Sequence, residues 1–419
     1  MCDRATAAVI VFSFAVSSVT AADWPQFLGP HGRAKCADHV PLEWSDDQNV
    51  CWKTELPGPG SSSPIVVGPR VFVTCYAQQD GQITRFVVCL DKQTGKELWT
   101  RAFRADSRED AYEGYLTEHG YASNTPTSDG AHVFVFFGKG GVHSLDLEGN
   151  ILWSVDVGQE SSNRRWGSAA SLLLVDETLI VNAAEESQAI LALDKTTGKQ
   201  RWRQEAEMLE LAYGTPRLVS LPEGRSELVI SVPGELWALN PFTGKLNWYV
   251  TTPMTGNVSP SVIVDGDTLF SFGGFRSSGS VSVRAGGTDD VSDTHINWIS
   301  RGSSYVATPL LHAGRFYWID DRGLAYCIES ETGKRVYRER VEDVQSGGRP
   351  FYASPICIDG NLIIPSRRSG VFVLAAQPEY RPLARNVFDD DSDFNASGAV
   401  SEGSLYLRSD QYLYCIGTP

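Results

Sequence analysis

One eleven-residue phrase constrains this chain more than any other feature: a short apolar strand, then Asp-x-x-Thr-Gly-Lys, then a strand carrying Trp. It reads Cys89-Leu90-Asp91-Lys92-Gln93-Thr94-Gly95-Lys96-Glu97-Leu98-Trp99 and returns as Ala192-Leu193-Asp194-Lys195-Thr196-Thr197-Gly198-Lys199-Gln200-Arg201-Trp202. Ala238-Leu239-Asn240-Pro241-Phe242-Thr243-Gly244-Lys245-Leu246-Asn247-Trp248 keeps the spacing. Leu145-Asp146-Leu147-Glu148-Gly149 with Trp153 is one residue shorter, and Ile328-Glu329 to Gly333-Lys334 ends on Tyr337. Each residue type has a physical use. Gly takes positive φ in a hairpin turn, Asp hydrogen-bonds the turn's own amides, and Trp fills space between neighbouring sheets.

A second phrase precedes each copy: a small polar residue, usually a Pro, an apolar run, Asp-Gly or similar, then an apolar strand. Its Pro positions are Pro64, Pro126, Pro216, Pro260, Pro309 and Pro355, with Ala170 and Gly398 filling the gaps, mostly 43 to 49 residues apart. That gives eight units, each with room for four short strands and none with a sustained helical period. Four strands in about 45 residues is the signature of a propeller blade. The expectation is an all-β, eight-bladed β-propeller of four-stranded antiparallel blades. The last unit stops after three strands, so Val50, Cys51, Trp52 and Lys53 are expected to supply its outer strand and leave no open edge.

Residues 1–22 read as a signal peptide: a single Arg4, an apolar and small-residue run, then Thr20-Ala21-Ala22 as a small-residue cleavage site. Residues 23–419 are then expected to form one domain, a monomer in the periplasm or outside the cell. No later uncharged run is long enough for a transmembrane segment. The net charge of −15 opposes nucleic acid or anionic lipid as partner. Seven cysteines follow residue 22, none in a C-x-x-C pair. Cys75 and Cys89 could bridge on neighbouring strands of one blade or remain strand-buried thiols.

These phrases resemble the quinoprotein-like (PQQ-like) repeat propellers across residues 24–417, and the chain is similar in type to the non-enzymatic BamB-like members. Trp24-Pro25-Gln26-Phe27-Leu28-Gly29-Pro30 is similar to the opening of exported propellers of this type. The resemblance implies one of two roles. The first is a non-enzymatic scaffold binding an envelope or extracellular protein or a small ligand, with no cofactor. The alternative is a quinone-dependent alcohol or sugar dehydrogenase holding pyrroloquinoline quinone (PQQ) with Ca²⁺. Dehydrogenase members are larger and carry an adjacent Cys-Cys pair and a carboxylate-rich calcium site; this sequence has no adjacent cysteine pair.

No nucleophile elbow, P-loop, zinc or dinucleotide motif occurs, and the seven histidines have no metal-ligand spacing. No catalytic residue and no metal site is assigned. Asp389-Asp390-Asp391-Ser392-Asp393 lacks the Gly and Glu of a calcium loop and reads as a solvated loop. An aromatic residue stands three to five positions before most Pro-equivalents: Tyr121, Trp166, Tyr213, Tyr305, Tyr352 and Phe394. With Asn257, Asn395, Arg165 and Arg349 from the same loops, these form a candidate ligand site at one mouth of the channel, expected to stack a planar anionic ligand or to grip a peptide or glycan. Arg164 and Arg301 accompany them. The competing reading is that the aromatics plug the channel and pack between blades. Arg367-Arg368 is expected as a solvated turn away from these loops. Two extended loops, 101–119 and 273–294, are expected as polar surface contacts.

Overall fold

A computed structural model describes residues 23–79, 81–104 and 109–418. The expected signal peptide lies outside the described residues. Eight small antiparallel sheets form a ring, the eight-bladed propeller read from the repeats. Blade 1 is typical: Ile65–Val67 innermost, then Arg70–Gln79, Gln82–Asp91 and Glu97–Arg104 outermost. In blade 8, Val50–Glu55 is the outer strand beside Tyr412–Ile416, with Trp52 opposite Cys415 and Glu55 opposite Tyr412. The N-terminal strand therefore closes the ring where the sequence places it.

The repeated turn shows why its residues recur. Asp91 Oδ1 accepts hydrogen bonds from the Thr94 amide at 2.8 Å and the Thr94 hydroxyl at 2.7 Å. Gly95 sits at φ 68°, and a Cβ there would lie 2.5 Å from the Trp52 ring of the preceding blade. Trp52 Nε1 also donates to the Lys92 carbonyl at 3.0 Å. The same docking recurs for Trp99 over Gly149, Trp153 over Gly198 and Trp298 over Gly333. Glycine is thus needed twice, for its positive φ and for the flat seat it offers the indole.

At the centre the blades are tied by a girdle of hydroxyls. The Ser63 amide donates to Thr125 Oγ1, Thr125 to Ser171 Oγ, Ser171 to Thr215 Oγ1, and Thr215 to Ser261 Oγ. Ser261 continues to Thr308 Oγ1, Thr308 to Ser354 Oγ, and Ser354 to Ser397 Oγ. These bonds correct the repeat register in two places. The Pro-equivalent residues of blades 3 and 5 are Leu172 and Val262, not Ala170 and Pro260, because the hydroxyl before each one, Ser171 or Ser261, occupies the girdle. Between blades 8 and 1 the bond is replaced by Arg408, 1% exposed, which donates to the Thr74 carbonyl at 2.7 Å and to Ser62 Oγ at 3.2 Å.

Other expectations change. Two blades gain a fifth strand in parallel: Lys35–Cys36 beside blade 7's inner strand and Asp289–Asp290 beside blade 4's outer strand. Segment 273–294 is not a loop, since it contains blade 5's third strand, Gly279–Arg284. Cys75 and Cys89 are both free. They sit opposite Phe86 and Phe72 respectively, and their side chains enter different core clusters on the two faces of the sheet, so no bridge can form.

Residues 23–36 cross one end of the channel. Trp24 pairs with Val66 of blade 1, and the Ser128 amide of blade 2 donates to the Pro25 carbonyl. Arg217 of blade 4 donates to the His31 carbonyl, and the Cys357 amide of blade 7 to the Ala34 carbonyl. Trp24 is 2% exposed and packs over Gly29. The segment is a plug, and it turns the central channel into a cup.

Candidate functional site at the channel mouth

The cup encloses a cavity of about 170 Å³ on the axis. Phe27 of the plug lines it together with the girdle hydroxyls, and aromatic rings stand toward the mouth. Trp166 and Tyr213 stack at 6.1 Å and 27°, and Tyr115 lies 4.3 Å from Trp166 and 6.3 Å from Tyr305, centroid to centroid.

Of the ten residues proposed from sequence, six line this cavity: Trp166, Tyr213, Tyr305, Tyr352, Asn257 and Asn395. Four do not. Tyr121 is buried behind the wall, edge-on to Tyr76 at 5.3 Å, with its hydroxyl donating to the Asp110 carbonyl at 2.7 Å. Its unit is the longest, and Tyr115 from the extra residues takes its place. Phe394 is buried in blade 8, stacked with Phe388 and Tyr414; here the packing reading wins. Arg165 is exposed at φ 53° and does not line the cavity. Arg349 also stays outside, but its guanidinium lies 4.7 Å from the Tyr115 ring and 4.6 Å from the Tyr305 ring and props both. Arg164 lies 5.7 Å from the Trp166 ring, and Arg301 is exposed.

Segment 101–119 is not merely a surface loop. Residues 109–119 fold back and deliver Tyr115, Glu118 and His119 to the cavity, a placement that no periodic signal announces. His119 Nε2 meets the Trp166 carbonyl at 2.8 Å, which fixes Nε2 as the protonated nitrogen. Nδ1 then faces Ser123 Oγ at 2.5 Å as an acceptor. Burial lowers the ring's pKa below the usual histidine value, so it is a neutral support for the indole.

The charges packed beside the cavity are matched. Arg367 pairs with Glu118 and with the buried Asp393 and lies 5.3 Å from the Tyr352 ring. Arg349 pairs with Asp321 at 3.5 Å. This overturns two expectations: Arg367 is an ion-paired strut of the mouth rather than a solvated turn, and Asp393 is buried rather than solvated. Asn395 Oδ1, by contrast, is buried without a hydrogen-bond partner among the described residues.

A second, smaller cavity beside the mouth is lined by Arg85, Glu109, Asp110, Lys139, Glu185 and Glu186. Arg85 pairs with Glu109 at 2.7 Å and Lys139 with Asp110 at 3.0 Å. Glu186 has no ion pair among the described residues. Burial, and then the neighbouring Glu185 charge, push its carboxyl up to about 8. Among the described residues no cluster of three His, Cys, Asp or Glu could hold a metal ion, and no helix is long and apolar enough to cross a membrane.

No protein-family model and no curated protein sequence matches this chain. Solved structures do. BamB from Moraxella catarrhalis aligns with a TM-score of 0.63 at 15% identity, covering 88% of this chain and 99% of that one. The computationally designed Ika8 protein aligns with a TM-score of 0.54 at 10% identity, over 87% and 98%. A europium-containing methanol dehydrogenase aligns with a TM-score of 0.45 at 11% identity, over 95% and 98%. The chain shares the propeller fold of BamB.

Proposed function

We propose that this chain is a non-enzymatic binding propeller of the periplasm or extracellular space, whose mouth takes a neutral ligand with a flat apolar face and hydroxyl edges, as a sugar ring has. One observation carries the reading: aromatic rings stand over a girdle of hydroxyls in a closed-floored cavity with no unmatched charge in its wall. Rings stack on apolar faces, while the girdle hydroxyls serve polar edges. A scaffold role would use the same cup for such a ligand presented on a larger partner.

The residues do not fit the alternative, a quinone held with Ca²⁺. A hard divalent cation takes six to eight oxygen ligands, usually with several carboxylates. Among the described residues Glu118 is the one carboxylate lining the cavity, and Arg367 already holds it. Titration with glucose, maltose and a Tyr-containing tripeptide, followed by intrinsic tryptophan fluorescence, tests the proposal. Saturable quenching by a sugar that disappears in Trp166→Ala supports it. Binding of the peptide alone, or a sugar response unchanged in Trp166→Ala, removes the sugar-like ligand.

A further inference from the structure

Beneath the girdle, against the plug, lies a third cavity of about 60 Å³ lined by Gly32, Arg33, Lys35, Arg217, Ser261 and Thr308, among others. Arg217 opens blade 4's inner strand, Arg217–Ser220, and is 7% exposed. Its guanidinium donates to the His31 carbonyl, its one hydrogen bond among the described residues. No carboxylate there lies within ion-pair distance of it, whereas the buried Arg85 and Arg367 each have one. Burial pulls the guanidinium down to about 10, and the positive charge of Arg33 adds to the effect. A buried charge without a partner is costly, and a protein ordinarily supplies a counter-charge.

The surroundings are shaped around this cation. Gly32 stands at φ 58°, and a Cβ there would overlap the Arg217 guanidinium, so glycine keeps the space open. Arg33 and Lys35 are exposed at the lip, without ion pairs among the described residues; Asp265, also exposed, is the one acid of the lining. Ser261 and Thr308 use their oxygens as acceptors in the girdle, which leaves their hydroxyl hydrogens to donate. On a chain of net charge −15 this is a basic island.

We infer that this cavity is a binding site for a compact dianionic oxyanion of the phosphate or sulfate type, held by Arg217 with Arg33 and Lys35 at the lip. Three cations against one acid favour a dianion over a monocarboxylate. A forked guanidinium suits two oxygens of a tetrahedral anion. The volume admits a compact tetrahedral anion. The anion would bridge blades 4, 5 and 6 to the plug. This site lies on the other side of the girdle from the mouth, shares only Ser261 and Thr308 with it, and does not depend on the ligand proposed there.

The test is calorimetric titration of the full chain with sodium phosphate, sulfate, acetate and chloride at matched ionic strength, with glycerol 3-phosphate as an ester. Phosphate and sulfate are expected to bind saturably at one site and raise the melting temperature, while acetate and chloride do not. Glycerol 3-phosphate binding as tightly as phosphate assigns the site to ester headgroups; its exclusion assigns the site to the free anion. The Arg33→Gln/Lys35→Gln variant, altered only at exposed side chains, is expected to lose about tenfold in affinity, and Arg217→Gln to lose binding altogether. If phosphate and chloride are indistinguishable, or the lip variant binds phosphate as the native chain does, the inference fails, whether or not Arg217→Gln folds.

Discussion

The two ends of one channel differ in chemistry although the same eight inner strands run between them. The mouth is aromatic, and the charges packed beside its cavity are matched: Glu118 and Asp393 with Arg367, Asp321 with Arg349. The underside is basic and carries Arg217, a buried cation without a carboxylate among the described residues. Neither character comes from the repeat alone. Residues 109–119 bring Tyr115, Glu118 and His119 to the mouth, and residues 23–36 bring Phe27, Arg33 and Lys35 to the floor. Repetition builds the ring, and the two segments that interrupt it make its ends different.

Removing the plug's anchor should abolish this difference and has the largest expected effect. Trp24→Ala empties a site 2% exposed in the main core and should cost about 3–5 kcal/mol in denaturant unfolding. The two arginines sharpen the contrast. Arg367→Met leaves Asp393 to Arg368 alone and Glu118 without a cation, and should cost about 2 kcal/mol. Arg217→Met removes a charge that was never matched and should change stability by less than about 1 kcal/mol in chloride buffer. Equal losses would show that the two ends are not electrostatically distinct.

Next in size is a pH effect confined to the mouth side. With its carboxyl raised from 4.5 to about 8, Glu186 keeps a proton in the folded chain that the unfolded chain releases. Its contribution is fully present below about pH 4.5 and is lost as pH rises toward 8. Glu186→Gln should therefore gain on the order of 2 kcal/mol at pH 8 and nothing near pH 4. Burial lowers His119, and lowers His143 to about 4, which acts in the opposite sense. Both must be protonated on unfolding in acid, so stability also falls as pH drops below the usual histidine value. Unfolding curves from pH 4 to 9 check both arms. The smallest effect belongs to the girdle shared by the two ends. Thr215→Val leaves the Ser171 amide without its acceptor and should cost about 1 kcal/mol.

The ring was legible because its determinants are local: an Asp that bonds its own turn, a Gly that seats an indole, a Trp at fixed spacing. Closure by Val50–Glu55 followed from one missing strand. The mouth was legible in part. Trp166, Tyr213, Tyr305 and Tyr352 lie in phase with the repeat, and six of the ten residues proposed from sequence meet around the cavity. Phe394 has the same spacing but turns into blade 8, where Phe388 and Tyr414 give it a larger apolar contact. Tyr115 and His119 sit in a non-repeating segment, and Arg217 acquires its meaning from His31 and Gly32, which lie 186 and 185 positions earlier in the chain. Period and spacing carry no information about such neighbours across the axis. Pro260 misled for a simpler reason: proline marked the strand start in other units, but in blade 5 the girdle is set by Ser261.

The central claim is that the mouth binds and performs no redox chemistry. It is tested most directly by incubating the full chain with PQQ and Ca²⁺ and following reduction of an electron-accepting dye with alcohols and sugars as donors. The account predicts dye reduction no faster than the protein-free blank. Donor-dependent reduction that vanishes in Trp166→Ala would contradict it.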